Sequence, residues 1–132
     1  MGESCKILIA DRNRHVRDLL RRELMAEGYT VEVAKDGHEV WLMINGGAPP
    51  NLIILDLEIP YLEDLLEMAH LREGEPPMPL IIFSFLPDED VRAFPRAAAF
   101  LEKKEDTDRL KEVVAEVIGR YYPYSTQSKQ SR

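Results

Sequence analysis

Short apolar runs alternate along this chain with longer stretches in which apolar residues recur at helical spacing. Lys6–Ala10 reads Lys-Ile-Leu-Ile-Ala, a run that suits a first strand buried on both faces. From Asn13 onward Val16, Leu19, Leu20 and Leu24 keep the period of a helix, and Gly28 stands where its C-cap belongs. Thr30–Ala34 gives a second strand, Asp36-Gly37 a turn, and Val40, Trp41 and Ile44 the stripe of a short helix stopped by Gly46-Gly47 and Pro49-Pro50. Residues 52–57 form a third apolar run broken only by Asp56, followed by Pro60 and a helix with Leu65, Met68, Leu71 and Arg72 on one side that closes at Glu75-Pro76-Pro77. Residues 80–83 predict a fourth strand ending in Ser84. The helix expected over 88–98 is weak because Pro95 removes a donor and clashes with the preceding turn. Phe100-Leu101 reads as a fifth strand ending near Lys103, and Asp106 starts a last helix carrying Leu110, Val113, Val114, Val117 and Tyr121. Tyr121 is expected to anchor in the core. Residues 123–132 form a polar tail, predicted to be disordered, so the folded domain is expected over 1–122.

Continuous apolar strands alternating with amphipathic helices call for a parallel sheet with helices on both faces. Five such units in this length fit the α/β flavodoxin-like, doubly wound arrangement with strand order 2-1-3-4-5. In that order strands 1 and 3 are neighbours whose connections leave on opposite sides, so a crevice opens at their C-terminal ends. Asp11 and Asp56 sit at those two ends, and Ser84 and Lys103 end strands 4 and 5 on the same rim.

Composition narrows the chemistry. The 132 residues suffice for one ordinary domain, and 17 Lys+Arg against 24 Asp+Glu leave a net charge of −7 with no basic run to displace counterions from nucleic acid. The single Cys5 allows no internal disulfide and no Cys/His cluster has zinc spacing, which points to a reducing, cytoplasmic setting. His15, His38 and His70 are scattered and expected to face solvent. The longest apolar runs are too short to span a bilayer.

Two carboxylates converging on one crevice repel, and they call for a metal ion, a Lys or an Arg between them. A carboxylate nucleophile, a hydroxyl, an ammonium and a hard cation together would suit phosphoryl transfer to Asp56. Strand-end acids also cap helix N-termini, so either one alone is as readily read as a cap. The runs Lys-Ile-Leu-Ile-Ala-Asp (6–11), Glu-Gly-Tyr-Thr-Val-Glu-Val-Ala-Lys-Asp-Gly-His-Glu-Val (27–40) and Asn-Leu-Ile-Ile-Leu-Asp-Leu-Glu-Ile-Pro (51–60) resemble a bacterial response-regulator receiver domain of the chemotaxis-regulator type. The resemblance implies a signalling module of a two-component or phosphorelay pathway rather than an enzyme. By it, Asp56 is the phosphoacceptor, and Asp11, Asp56 and the Glu58 backbone carbonyl hold Mg2+. Ser84 and Lys103 contact the phosphoryl group, and Phe100 is the switch aromatic. It also implies a histidine kinase or phosphotransfer protein as partner; a homodimer through the face of the fourth helix, fifth strand and last helix is a further expectation, which Tyr121 and Tyr122 at the end of the last helix would suit.

Several positions depart from that pattern. The second acid of the strand-1 pair is Arg12, whose planar guanidinium can take a carboxylate bidentately. Three arrangements follow: Arg12 bridges Asp11 and Asp56 in place of the metal, it points outward beside a poor metal site, or a weak Mg2+ site survives with help from Glu58 or Asn13. The usual loop Gly is Asp64, so a left-handed conformation there would be costly or replaced. Phe85 follows the hydroxyl and narrows the entrance, and Lys103-Lys104 replaces Lys-Pro. A scaffold that keeps its core pattern while its chemistry changes suits a second reading, a phosphorylation-independent pseudo-receiver used for protein–protein interaction. A flavin binder on the same fold is disfavoured, because the loop after strand 1 lacks the Ser/Thr/Gly cluster that would cradle a phosphate.

Overall fold

The computed structural model describes residues 5–69, 78–85, 94, 97–104 and 106–124. Five strands, β1 (Lys6–Ala10), β2 (Thr30–Ala34), β3 (Leu52–Leu55), β4 (Leu80–Ser84) and β5 (Ala99–Glu102), form one parallel sheet in the order β2-β1-β3-β4-β5. The described helices are α1 (Arg14–Ala26), α2 (Gly37–Ile44), α3 (Leu62–Met68) and α4 (Thr107–Tyr121). The expected order 2-1-3-4-5 is the one observed.

Both faces of the sheet are covered, which is why β1, β3 and β4 read as unbroken apolar runs. Ile7, Ile9, Leu52, Ile54 and Ile81 pack with Leu20 and Leu24 of α1 and Val114 and Val117 of α4. Leu8, Ile53, Leu55 and Ile82 turn the other way, against Val40 of α2 and Leu65 of α3. On the first face Glu23 of α1 meets Lys111 of α4 at 2.7 Å, which holds the glutamate carboxyl below its usual range.

Local chemistry starts the helices where the sequence places them. Asn13 accepts the His15 and Val16 N–H groups, Asp36 that of Glu39 and Asp106 that of Arg109. Past α1, Gly28 takes φ 98°. The start of α3 differs: Tyr61 precedes it with φ 61°, a left-handed conformation that a bulky side chain adopts at a cost. Its place is fixed by Gly37, whose N–H donates to the Pro60 carbonyl at 2.8 Å and whose missing Cβ leaves room for the Tyr61 carbonyl oxygen.

Two expectations change, at the end of β3 and at Tyr121, and an open alternative at Asp64 is resolved. β3 ends at Leu55 rather than at residue 57, because Asp56 turns its carboxylate to the backbone of the next loop. The left-handed residue of that loop is Tyr61, whereas Asp64 lies within α3. Tyr121 is 46% exposed, and Tyr122, leaving helical geometry, turns inward and donates its hydroxyl to the Asn51 carbonyl at 2.8 Å. His38 is exposed but engaged, stacked on Tyr61 with ring centroids 4.0 Å apart and 3.2 Å from Asp64 Oδ2. Leu71, Arg72, His70, most of the weak helix over 88–98 and most of the tail lie outside the described residues. Among the described residues no helix is long and apolar enough to cross a membrane.

Candidate functional site

The sheet brings Asp11 and Asp56 together because β1 pairs with β3, with Ala10 opposite Leu55, so the next residue of each strand emerges at the same level. The Asp56 N–H donates to the Ala10 carbonyl at 2.9 Å, locking the two strand ends. Both carboxylates are almost wholly buried, at 1% exposure each. Burying two like charges side by side is untenable without a compensating cation.

Lys103 supplies it. Its Nζ lies 2.9 Å from Asp11 Oδ2 and 3.1 Å from Asp56 Oδ1, and its side chain is 8% exposed. The loop after β5 delivers it there: the Lys103 N–H donates to the Ser84 carbonyl at 2.8 Å, extending the β4–β5 pairing by one residue. The ammonium also lies 5.6 Å and 5.3 Å from the ring centroids of Phe83 and Phe85, within cation–π range. Phe85 is half exposed and stands over the ammonium at the entrance, while Ser84 is buried.

Backbone donors complete the setting. Asp11 Oδ1 accepts the Asn13 N–H at 2.8 Å, Asp56 Oδ2 the Arg12 N–H at 3.3 Å and Asp56 Oδ1 the Glu58 N–H at 3.1 Å. The guanidinium of Arg12 does not bridge Asp11 and Asp56. It pairs with Glu58 at 2.7 Å, with both side chains about half exposed, and so ties the loop after β1 to the loop after β3. The physical reason is that Lys103 already occupies the space between the two aspartates, leaving Glu58 as the acid within reach. Phe100 is partly buried and packs on the α2 and α3 side of the sheet.

For Mg2+, implied by the sequence resemblance, the donor set here is short of one acid, because position 12 is Arg12. A hard dication asks for several oxygens turned to one point. Of the groups assigned to it, Asp11 and Asp56 close on an ammonium, the Glu58 side chain turns to Arg12 and leaves its backbone carbonyl as that residue's donor, and position 12 offers a guanidinium that cannot ligate a cation. Among the described residues no other group of His, Cys, Asp or Glu gathers to take one.

Three contributors escaped the sequence reading. Arg17 of α1 donates to the Asp11 carbonyl at 2.8 Å, Phe83 lies against the Lys103 ammonium, and Gly37 with His38 fixes the loop that follows Asp56. Only the last left a signal, in the Asp36-Gly37 turn.

Comparison with known proteins agrees with this geometry. The family model of the response regulator receiver domain matches residues 7–115. The response regulator MprA of Mycobacterium ulcerans is 38% identical over 81 residues, 61% of this chain and 34% of that protein. The matched stretch thus spans about a third of the length of these curated relatives. Among solved structures, a CheY-like response regulator receiver domain protein from Methanospirillum hungatei superposes with a TM-score of 0.72 at 26% identity, covering 97% of this chain and 99% of that one. The signal receiver domain of a LuxO repressor protein from Vibrio parahaemolyticus gives 0.71 at 25% identity, covering 89% and 92%. The acid-lined crevice at the β1/β3 switch point and these matches lead to one conclusion: the chain belongs to the response regulator receiver domain family.

Proposed function

We propose that this chain is a phosphorylation-independent receiver module of a two-component pathway, working in the cytoplasm, with its crevice held in one state by internal ion pairs. The observation that carries the reading is the Lys103 ammonium between Asp11 and Asp56, with Arg12 committed to Glu58. A phosphoryl group entering at Asp56 would bring further negative charge into a buried site where Arg12 stands in place of the second acid that would help hold a neutralising dication. What the scaffold keeps is a surface for partners, of which a histidine kinase or phosphotransfer protein of the same pathway is the first choice. A homodimer through the β5/α4 face is the second. The test is incubation with Mg2+ and a small acyl phosphate, read by intact mass. The wild-type chain is expected to stay at its unmodified mass. A stoichiometric phosphate adduct that disappears in Asp56→Asn would overturn the proposal and restore Asp56 as a working acceptor, with Lys103 and Ser84 in contact with the group it takes up.

A further inference from the structure

We infer that the open edge of β2 is a docking strand for an extended segment of a partner protein, with acidic side chains on one face and apolar side chains on the other. The inference deepens the reading of the chain as an interaction module; the edge strand does not include Asp56, and it meets the crevice through Arg17 and Ala34, which bond the Asp11 backbone.

β2 stands at one end of the sheet order, and among the described residues no strand pairs with its outer side. In a parallel pair, alternate residues turn their N–H and C=O toward the neighbour. The Thr30 N–H donates to Cys5 and the Ala34 carbonyl accepts from Asp11, so residues 30, 32 and 34 face β1. Val31 and Val33 therefore present their N–H and C=O groups outward, two residues apart, which is the repeat an added strand requires. The Lys35 N–H closes this row, because Glu39 Oε1 accepts it at 2.8 Å.

The edge is recessed rather than flat. A groove of about 400 Å³ runs along it, with Arg17 of α1 on one wall, Glu39, Leu42 and Met43 of α2 on the other, and Val33, Ala34 and Lys35 between them; the Glu39 carboxylate is already paired with the Lys35 ammonium at 2.9 Å. The two walls differ in chemistry. Arg14, Arg17 and Arg21 recur at spacings of three and four and so share one side of α1. Arg17 gives one N–H to the Asp11 carbonyl and keeps its other donors. Arg14 reaches Asp18 only at 3.7 Å, with both side chains mostly exposed, and Arg21 has no ionic partner among the described residues. Across the groove Leu42 is 71% exposed. An added strand alternates its side chains between these walls, so carboxylates at every second position would meet the arginines while the residues between them cover Leu42 and Met43.

Charge also selects against a second copy as occupant. Antiparallel pairing of β2 about a two-fold axis would place both α1 helices on the same face and set their arginine rows against each other. A partner segment with acid at alternate positions meets no such repulsion.

The test is titration of the isotope-labelled chain with a short capped peptide of alternating Glu and Val, followed by amide NMR and hydrogen exchange. Saturable shifts and slowed exchange are expected at Val31 and Val33. A peptide of alternating Lys and Val should bind at least tenfold more weakly, and Arg14→Glu/Arg21→Glu should weaken the Glu peptide about tenfold. Equal binding of the Lys peptide, shifts confined to the crevice, no shifts at millimolar peptide, or concentration-dependent self-association that blocks the peptide would each overturn the inference. A phosphate adduct on Asp56 would overturn the phosphorylation-independent reading and leave these outcomes unchanged.

Discussion

Replacing Lys103 with Met keeps the length of the side chain and removes its charge, leaving Asp11 and Asp56 buried against each other. At an effective dielectric of about 20, the contacts of 2.9 and 3.1 Å each represent about 5–6 kcal/mol of gross attraction. Desolvation of the three groups cancels much of this in the wild type. The variant keeps the cost of burying two carboxylates and loses the attraction, so the expected destabilisation is that of breaking a buried pair, about 3–5 kcal/mol. That is a large share of the about 5–15 kcal/mol that holds a domain together, and corresponds to a fall in melting temperature of roughly 10–20 °C. Urea unfolding followed by circular dichroism measures it. Should Lys103→Met be too unstable to study, Lys103→Met in an Asp11→Asn background leaves one buried carboxylate instead of two, and its cost relative to Asp11→Asn alone should be clearly smaller. A loss below about 1 kcal/mol for Lys103→Met would refute the reasoning, since the ammonium would then not be what neutralises the crevice in solution.

Two further outcomes follow from the packing. Gly37→Ala puts a methyl group against the Tyr61 carbonyl and should cost about 1–3 kcal/mol in thermal or urea unfolding, whereas Gly47→Ala, with open space around it, should be nearly neutral. Tyr29 is buried beside Cys5 and Glu27; desolvation first, then those charges, push its phenol up to about 12 from an ordinary value near 10. Its stabilising contribution is therefore complete below pH 10 and is lost as pH rises toward 12, because the unfolded chain ionises first. Melting temperatures of Tyr29→Phe should fall less steeply than those of the wild type across that window, and parallel curves would contradict the assignment.

The legible parts of the fold are those in which one residue type has one physical use. β1 and β2 match their predicted runs residue for residue, since both are bounded by polar turns. β3 was harder, because Leu57 is apolar and its side chain gives no sign that Asp56 stops the strand by accepting backbone donors from both adjoining loops. Periodicity put Tyr121 on the buried stripe of α4; it could not show that the helix ends there and hands the inward position to Tyr122. The conformation of Tyr61 was not legible, because its cause is Gly37, a residue of another unit. In the crevice the sequence identified the three acids, Lys103 and Arg12 but not Arg17, and predicted that a cation would join the two aspartates. Which cation does so depends on reach across the sheet: Lys103 comes from 92 positions beyond Asp11, and nothing in the spacing favours it over Arg12.

The exchange at position 12 changes the charge balance of the crevice. Three carboxylates, Asp11, Asp56 and Glu58, face two cations, Lys103 and Arg12, leaving one net negative charge. With an acid at position 12 the same crevice would carry three, and a bound dication would return it to one. Arg12 therefore supplies by covalent sequence the charge that a dication supplies by binding. Arg12→Asp should undo this: it frees Glu58 and adds a carboxylate beside Asp11. The variant is expected to be less stable than the wild type in chelator and to gain about 2.7 kcal/mol when Mg2+ reaches about 100 times its dissociation constant. The wild type should melt at the same temperature in chelator and in millimolar Mg2+. Equal stabilisation of both chains by Mg2+ would show that the ion binds without the added acid, and that the charge of Arg12 is not what takes its place.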